Sequence, residues 1–142
     1  MRDKMFEKSF DRVIGHEGGF QNMRKDRGNW TGGAVGAGEL KGTKFGISAM
    51  TYPGLDIENL TVEEAKRIYY RDWWFQISAM CLPPEMEYQM FDASINHGRH
   101  NAVKMLQRAV GADDDGVFGV LTQAAIRKFH ETSLPVLFIA ER

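Results

Sequence analysis

The chain has 142 residues, 43% of them apolar, and its 18 basic and 19 acidic residues leave a net charge of −1. This length and apolar content suffice for one domain with a hydrophobic core. The balanced charge, without a basic block, argues against a nucleic-acid-binding protein, because phosphate recognition normally needs a basic patch. Cys81 is the single cysteine, so no internal disulfide can form, and its apolar neighbours predict a packed side chain rather than a nucleophile.

The N-terminus alternates charged and apolar residues, unlike a secretory signal, which has an apolar centre. No apolar run is long enough to span a bilayer. We therefore expect a protein made in the cytoplasm, without stable membrane insertion and without a signal peptide.

The first predicted element is a helix over residues 4–16, where apolar side chains recur at helical spacing. Residues 18–46 follow, and they hold most of the chain's 15 glycines. Such a composition predicts turns and short strands. We expect part of residues 28–42 to be mobile and to act either as a lid or as a passive surface insertion.

The pattern becomes helical from Thr61, which forms a capping-box sequence with Glu64. The predicted buried face of this helix is Val62, Ala65, Ile68, Tyr69, Trp73 and Phe75. The next helix begins at Pro83-Pro84, ends before Gly98 and buries Met86, Met90, Phe91, Ser94 and Ile95. Further helices are predicted around Ala102–Val110, ending at Gly111, and over Thr122–His130 and Leu134–Arg142.

These elements predict an α+β fold, mostly helical, in a single domain over residues 1–142 with a small N-terminal β-hairpin. The chain ends at Ile-Ala-Glu-Arg without a helix cap. We therefore expect a last helix that is cut short or completed elsewhere.

Two carboxylates are the candidates for chemistry. Glu17 comes where the first predicted helix gives way to Gly18-Gly19, and both the helix C-terminus and nearby apolar residues would raise its pKa, as a general acid requires. Asp26 lies in a loop among three cations and should stay ionised. One protonated and one ionised carboxyl group form the pair that glycoside hydrolysis uses. On spacing alone, a solvated glutamate and a surface ion pair explain these residues better than catalysis does.

Four blocks in order carry a resemblance to a known family. The blocks are His16-Glu-Gly-Gly-Phe, Gly42-Thr-Lys-Phe-Gly-Ile-Ser, Phe91-Asp-Ala-Ser-Ile-Asn-His-Gly, and Leu106-Gln-Arg-Ala-Val-Gly with Asp115-Gly-Val-Phe-Gly-Val-Leu-Thr. Through these blocks the chain resembles glycoside hydrolase family 108, bacterial and phage N-acetylmuramidases used as endolysins, over about residues 6 to 142.

The resemblance implies a lysozyme-like fold and Glu17 as the catalytic residue of the Glu-Gly-Gly motif. Asp26 and Thr43 are similar to the aspartate and threonine that follow the glutamate in phage-type lysozymes, although the glycine-rich stretch displaces Thr43. The resemblance also implies a catalytic region over about residues 5–92 and a helical, peptidoglycan-binding-like portion over about 93–142. The implied enzyme is a monomer without cofactor that reaches the cell wall by holin-type release and cleaves peptidoglycan glycan strands.

Other residues suggest substrate contacts or rival functions. Trp30 is a candidate for sugar stacking, as is one of Trp73 and Trp74, and Asn96 and His97 are candidates for lining the groove. A zinc amidase would need a cluster such as His16, His97, His100 and Asp92, but no His-Glu-x-x-His motif is present and we predict no metal site. The remaining alternative is a non-catalytic peptidoglycan-binding module.

Overall fold

The computed structural model describes residues 3–14, 19–129 and 133–142. Within them the chain is mostly helical with a two-stranded antiparallel sheet, which confirms the predicted α+β class. The elements are α1 (Lys4–Val13), β1 (Thr43–Lys44), β2 (Ile47–Ser48), α2 (Val62–Tyr69), α3 (Phe75–Ser78), α4 (Pro84–His97), α5 (Arg99–Val110), α6 (Val120–Ile126) and α7 (Leu134–Glu141).

The chain divides into two compact units. The helical unit contains the residues up to Ser9 together with Tyr70–Arg142, and the hairpin unit is Phe10–Tyr69. Buried apolar residues occur in both units. In the hairpin unit these include Phe10, Ile14, Ile47, Ile57, Leu60, Ala65, Ile68 and Tyr69, and in the helical unit Phe6, Trp74, Ile77, Met86, Met90, Phe91, Leu106 and Phe138.

A tight turn joins β1 to β2 in the hairpin unit. Phe45 and Gly46 both have positive φ, 53° and 75°, as a type I′ hairpin turn requires. The Tyr69 hydroxyl donates a 2.8 Å hydrogen bond to the Phe45 carbonyl, and a Cβ at Gly46 would lie 2.6 Å from that hydroxyl. Only glycine therefore fits at position 46.

The glycine-rich stretch forms a hydrogen-bonded loop rather than regular strands. Trp30 and Leu40 pair in an isolated antiparallel bridge, and the Thr31 N–H donates to the Glu39 carbonyl at 2.9 Å. Nearer the tip, the Gly32 N–H donates to the Ala37 carbonyl at 3.0 Å. These hydrogen bonds hold the two sides of the stretch together from its base to near its tip.

The predicted capping box is confirmed at the start of α2. The Thr61 N–H donates to the Glu64 carboxylate at 3.0 Å, and the Glu64 N–H donates to the Thr61 hydroxyl at 3.2 Å. Val62, however, is 43% exposed, so its predicted burial is wrong. It is the first residue of α2, at the end of the face that buries Ala65 and Tyr69, and it stays partly exposed to solvent.

The predicted burial of Trp73 and Phe75 is also wrong. A π-helical turn over Tyr70–Trp74 follows α2, and its wider winding shifts the following side chains out of regular helical register. Trp74 is fully buried instead, Trp73 is partly exposed and Phe75 is 63% exposed. Regular α-helical spacing continued from α2 therefore predicts the wrong buried residues in this aromatic segment.

Three aromatic rings form the centre of the helical unit. Phe6, Trp74 and Phe91 meet edge to face with centroid separations of 5.4–6.0 Å, a geometry that aromatic pairs prefer. The Trp74 indole N–H donates to the Asp3 carboxylate at 3.0 Å, so its polar atom is satisfied despite complete burial. Helices α4, α5 and α7 pack against one another in the same unit.

The predicted ends of α4 and α5 are confirmed at Gly98 and Gly111, both of which have positive φ. Ile95 is only partly buried, unlike the other predicted inward residues of α4. Helix α6 begins at Val120, before the predicted Thr122, and ends at Ile126; His130, its predicted last residue, lies outside the described residues.

Cys81 does not have the packed environment predicted for it. Its side chain is exposed, and its backbone adopts a positive φ of 55° in the turn between α3 and α4. The turn directs Cys81 outward, whereas the neighbouring Met80 and Leu82 are buried. Among the helices that the structure describes, none combines the length and apolarity needed to cross a membrane.

Candidate active site

Glu17, the predicted acid, lies outside the described residues, as does His16. The chain on either side of it is described. Ile14 is buried, and its N–H continues the pattern of α1 with a 2.8 Å bond to the Phe10 carbonyl. The chain is described again from Gly19, and Gln21 then pairs with Thr43. The catalytic role of Glu17 stays a prediction from the sequence.

Asp26 is held in place by two hydrogen bonds. Its Oδ1 accepts from the Gly28 N–H at 2.9 Å, and its Oδ2 accepts from the Gln21 side-chain amide at 3.2 Å. The first bond caps a short 3-10 turn, Arg27–Asn29. Within residues 19–129, no ion pair joins Asp26 to the neighbouring cations of its loop. The carboxylate is therefore solvent-exposed but oriented.

Thr43 is anchored through both its backbone and its side chain. Its N–H and carbonyl exchange hydrogen bonds of 2.8 and 2.9 Å with Gln21, and its hydroxyl donates to Asn29 Oδ1 at 2.7 Å. Asn29 is fully buried, and its Nδ2 donates to Gln21 Oε1 at 2.6 Å and to the Met23 carbonyl at 3.0 Å.

A continuous hydrogen-bonded chain thus runs from Asp26 through Gln21 and Asn29 to Thr43. It brings together two of the predicted catalytic residues, despite the glycine-rich insertion between them. Sequence reasoning missed Gln21 and Asn29, which stand in no recognisable motif. The one available signal was that both are amides within a segment otherwise rich in glycine and charge.

Gly42 explains why the second sequence block begins with glycine. Its φ is 93°, and a Cβ there would lie 2.5 Å from the Gln21 carbonyl and 2.6 Å from the Phe20 ring. Any side chain would force apart the Gln21 and Thr43 segments. Glycine at this position therefore maintains the approach on which the hydrogen-bonded chain depends.

Trp30 has a different environment from the one predicted. The residue is only 5% exposed, its indole N–H donates to the Arg24 carbonyl at 2.9 Å, and the Arg24 guanidinium lies 5.0 Å from the ring centroid. Its burial in the hairpin unit leaves little surface for a sugar. We therefore correct its assignment from substrate contact to support of the Asp26 loop.

Asn96 and His97 belong to the helical unit, at the C-terminal end of α4, whereas Asp26 and Thr43 belong to the hairpin unit. Both are exposed. The Asn96 amide donates to the Asp92 carbonyl at 2.9 Å and to its carboxylate at 3.1 Å. The Asp92 carboxylate also binds Arg142 at 2.6 Å. These contacts order the end of α4 and leave the two side chains at the surface.

The fourth sequence block is explained by one buried amide. Gln107 Nε2 donates to Asp115 Oδ1, the Val117 carbonyl and the Thr122 hydroxyl at 2.9–3.0 Å. Its Oε1 accepts from the Gly116 N–H at 2.9 Å. Its partners therefore lie in the middle of the connection between α5 and α6 and in α6 itself. The hydrogen bonds from Val117 and Gln107 lower the pKa of Asp115.

A small hollow of about 310 Å³ lies in the hairpin unit beside the segment that contains Gln21. Its walls include residues on either side of the Gln21–Thr43 bridge and the loop that precedes α2. They are Phe20, Asn22, Leu40, Lys41, Gly54, Asp56, Ile57 and Glu58. Among residues 3–14, 19–129 and 133–142, no group of three His, Cys, Asp or Glu side chains is arranged to hold a metal ion.

Comparison with known proteins identifies the family. The glycosyl hydrolase 108 family model matches residues 10–98, which include Glu17, Asp26 and Thr43. Among solved structures, Brucella abortus SagA has 29% sequence identity and a TM-score of 0.73, over 96% of this chain and 76% of that one. A search of curated proteins found no match. Because the family match covers more than half of the residues, and a similar solved structure covers nearly all of them, this chain belongs to glycosyl hydrolase family 108 and has its lysozyme-like α+β fold.

Proposed function

We propose that this glycoside hydrolase is a muramidase, which cleaves the β-1,4 bond between N-acetylmuramic acid and N-acetylglucosamine in peptidoglycan. Membership of the family supports hydrolysis of peptidoglycan. The observation that carries the proposal is the hydrogen-bonded chain from Asp26 to Thr43, because it joins an oriented carboxylate to an oriented hydroxyl. The further assignment as a phage-type endolysin released by a holin rests on the sequence resemblance.

Glu17 serves as the general acid in this proposal. The sequence-based prediction that supports this role puts Glu17 at the end of the first predicted helix, where the helix dipole would disfavour a negative charge and so favour a protonated carboxyl group. The proton passes to the glycosidic oxygen as the bond to the anomeric carbon breaks. The N-acetylglucosamine unit leaves with a free hydroxyl group.

Asp26 and Thr43 act on the other side of the bond that breaks. They either orient the attacking water or stabilise the positive charge that develops at the anomeric carbon. The Thr43 hydroxyl donates a hydrogen bond to Asn29 Oδ1, since Asn29 Nδ2 already donates to Gln21 and Met23. The Thr43 oxygen is left as an acceptor for a proton of water. The Asp26 carboxylate can orient that water or stabilise an oxocarbenium-like transition state.

The test is the release of reducing ends from purified sacculi, with identification of the new terminal sugar by mass spectrometry. A muramidase leaves N-acetylmuramic acid at the reducing end, with or without EDTA. Glu17→Gln should lower the rate by about 10²–10⁴-fold, because it removes the transferable proton but keeps the side-chain size. Glu141→Gln, which neutralises an exposed carboxylate at the end of α7, is the matched control.

Three results would contradict the proposal. New N-acetylglucosamine reducing ends would assign the other glycosidic bond. Loss of activity in EDTA with release of amino groups would favour a zinc amidase. Binding to sacculi without any new reducing end would indicate a non-catalytic wall-binding module.

A further inference from the structure

A larger cavity, of about 690 Å³, lies wholly within the helical unit and has not been used by the proposed chemistry. Three segments form it: the π-helical turn with α3, the N-terminal end of α5, and the connection between α5 and α6. Its volume is typical of sites for small organic ligands. The lining side chains that could contact a ligand are Asp72, Trp73, Gln76, Arg99, His100 and Phe118.

The π-helical turn determines which tryptophan reaches this cavity. Trp74 is fully buried in the aromatic core, whereas its neighbour Trp73 is partly exposed and lines the cavity wall. Phe118 provides a second, partly exposed ring in the same cavity. Two apolar ring surfaces are therefore available beside polar groups, which is the combination that a sugar ring with one apolar face requires.

The position of His100, on the polar side of the cavity, is fixed by the residues that pack against it. Gly116 has a φ of 78°, and a Cβ built on it would overlap the His100 ring, so the imidazole lies directly against the glycine backbone. The Gly116 N–H is itself bonded to the buried Gln107 amide at 2.9 Å. The buried network of the fourth sequence block thus positions a cavity-lining histidine.

The charges around the cavity argue against a strongly ionic ligand. Arg99 contributes a positive charge, but Asp72 contributes a negative one and is bound to Arg71 through two hydrogen bonds of 2.6 and 2.8 Å. Mixed charges with an amide and an imidazole suit a ligand that offers many neutral donors and acceptors. Hydroxyl and acetamido groups of amino sugars meet that description.

We propose that this cavity binds a saccharide segment of the peptidoglycan glycan strand, with a sugar ring against Trp73 and its polar groups toward His100 and Gln76. The choice of amino sugars as the ligand rests on the proposed function. The cavity itself contributes binding rather than bond cleavage. Its role is to retain the glycan polymer on the enzyme.

The binding test uses the full chain carrying Glu17→Gln, titrated with tri-N-acetylglucosamine and followed by NMR. We expect the Trp73 indole N–H and the His100 ring signals to shift and saturate together, and Trp73→Phe assigns the indole signal. In that background, Trp73→Ala should weaken the affinity reported by the His100 signal by about two- to tenfold. Phe75→Ala is the matched control, since Phe75 is an aromatic residue 63% exposed that does not line the cavity.

Gly116→Ala provides a second variant, because the added methyl group must displace the His100 ring without removing Trp73. Its affinity should fall as well. The inference is overturned if the cavity signals do not move with the trisaccharide, or if they move with a free stem peptide instead. It is also overturned if Trp73→Ala binds as tightly as Phe75→Ala. Release of reducing ends by the unmodified chain is scored separately, so a failure there rejects the muramidase assignment and leaves the cavity result standing.

Discussion

The Thr43 hydroxyl donates a 2.7 Å hydrogen bond to Asn29 Oδ1, across a loop that the glycine-rich stretch lengthens. Asn29 is fully buried, so this acceptor has no access to bulk water if the hydroxyl is removed. The bond therefore matters for stability as well as for the proposed orientation of water.

Replacement of Thr43 separates these two contributions. Thr43→Val should lower the free energy of unfolding by about 1–3 kcal/mol, because it leaves a buried acceptor without a partner. Thr43→Ser keeps the hydroxyl and should retain most of the stability and activity. Urea denaturation measures the first effect, and release of reducing ends measures the second. A valine variant as stable as the original chain would show that the bond contributes nothing.

Asp26→Asn tests whether the carboxylate acts through its charge or only as a cap. Asparagine caps helical turns about as well as aspartate, so the bond from the Gly28 N–H should survive and the melting temperature should change little. Activity on sacculi should nevertheless fall, although less than in Glu17→Gln. Asp56→Asn, in the same unit, is the control for loss of an acidic group.

A folded and fully active Asp26→Asn variant would reduce Asp26 to a structural cap. The second carboxylate would then have to be sought at Glu39 or Asp92. Of these, Asp92 is already paired with Arg142 at 2.6 Å.

The tip of the glycine-rich loop can be shortened without disturbing its base. Replacing residues 33–36 by Asn-Gly leaves Gly32 and Ala37 to flank a two-residue hairpin turn and keeps the Trp30–Leu40 bridge. A passive insertion predicts unchanged hydrolysis and a slightly higher melting temperature, since fewer residues are ordered on folding. A lid predicts a stable protein with strongly reduced turnover. Unchanged turnover on intact sacculi would therefore reject the lid.

Gln107→Leu should be among the more destabilising substitutions in the helical unit. It removes a buried amide that has four hydrogen-bond partners, and the buried Thr122 hydroxyl loses the amide that donates to it. We expect a loss of about 2–4 kcal/mol in the free energy of unfolding, measured by urea denaturation. Gln123→Leu, on α6, is the matched control and should cost much less. Equal losses in the two variants would contradict a special role for Gln107.

The raised pKa of Glu87 should make the free energy of unfolding depend on pH. Burial, and then the nearby Asp3, raise its pKa from 4.5 to about 7. The folded chain thus retains a proton that the unfolded chain releases above about pH 4.5, so this group makes stability fall as the pH rises from about 4.5 to 7. Because Glu87 is partly solvated, the effect should be well below the value of about 1.4 kcal/mol per pKa unit for a fully buried group.

The measurement is the free energy of unfolding at pH 5 and pH 8 for Glu87→Gln and the unmodified chain. The glutamine variant should lose less stability between the two pH values, since it has no proton to release. Glu141→Gln controls for the change in net charge. An identical pH dependence in Glu87→Gln and the unmodified chain would show that Glu87 does not titrate in this range.

Local sequence was enough to predict the ends of several elements. The capping box at Thr61 and Glu64 and the glycine stops at Gly98 and Gly111 each involve hydrogen bonds or backbone angles within a few residues. Such interactions are the same whatever the rest of the chain does. The α+β class could be predicted for the same reason, because it follows from the order of local patterns.

Tertiary structure alone decided which side chains those elements present. The π-helical turn over Tyr70–Trp74 changed the register, so Trp74 entered the core and Trp73 the cavity wall, a difference that no regular period could predict. Likewise, the hydrogen-bonded chain from Asp26 to Thr43 runs through Gln21 and Asn29, and it depends on Gly42, which permits the Gln21 and Thr43 segments to pair. Residue types and spacing predicted which groups could carry the chemistry, but hydrogen bonds between residues far apart in sequence form only once the backbone brings their segments together.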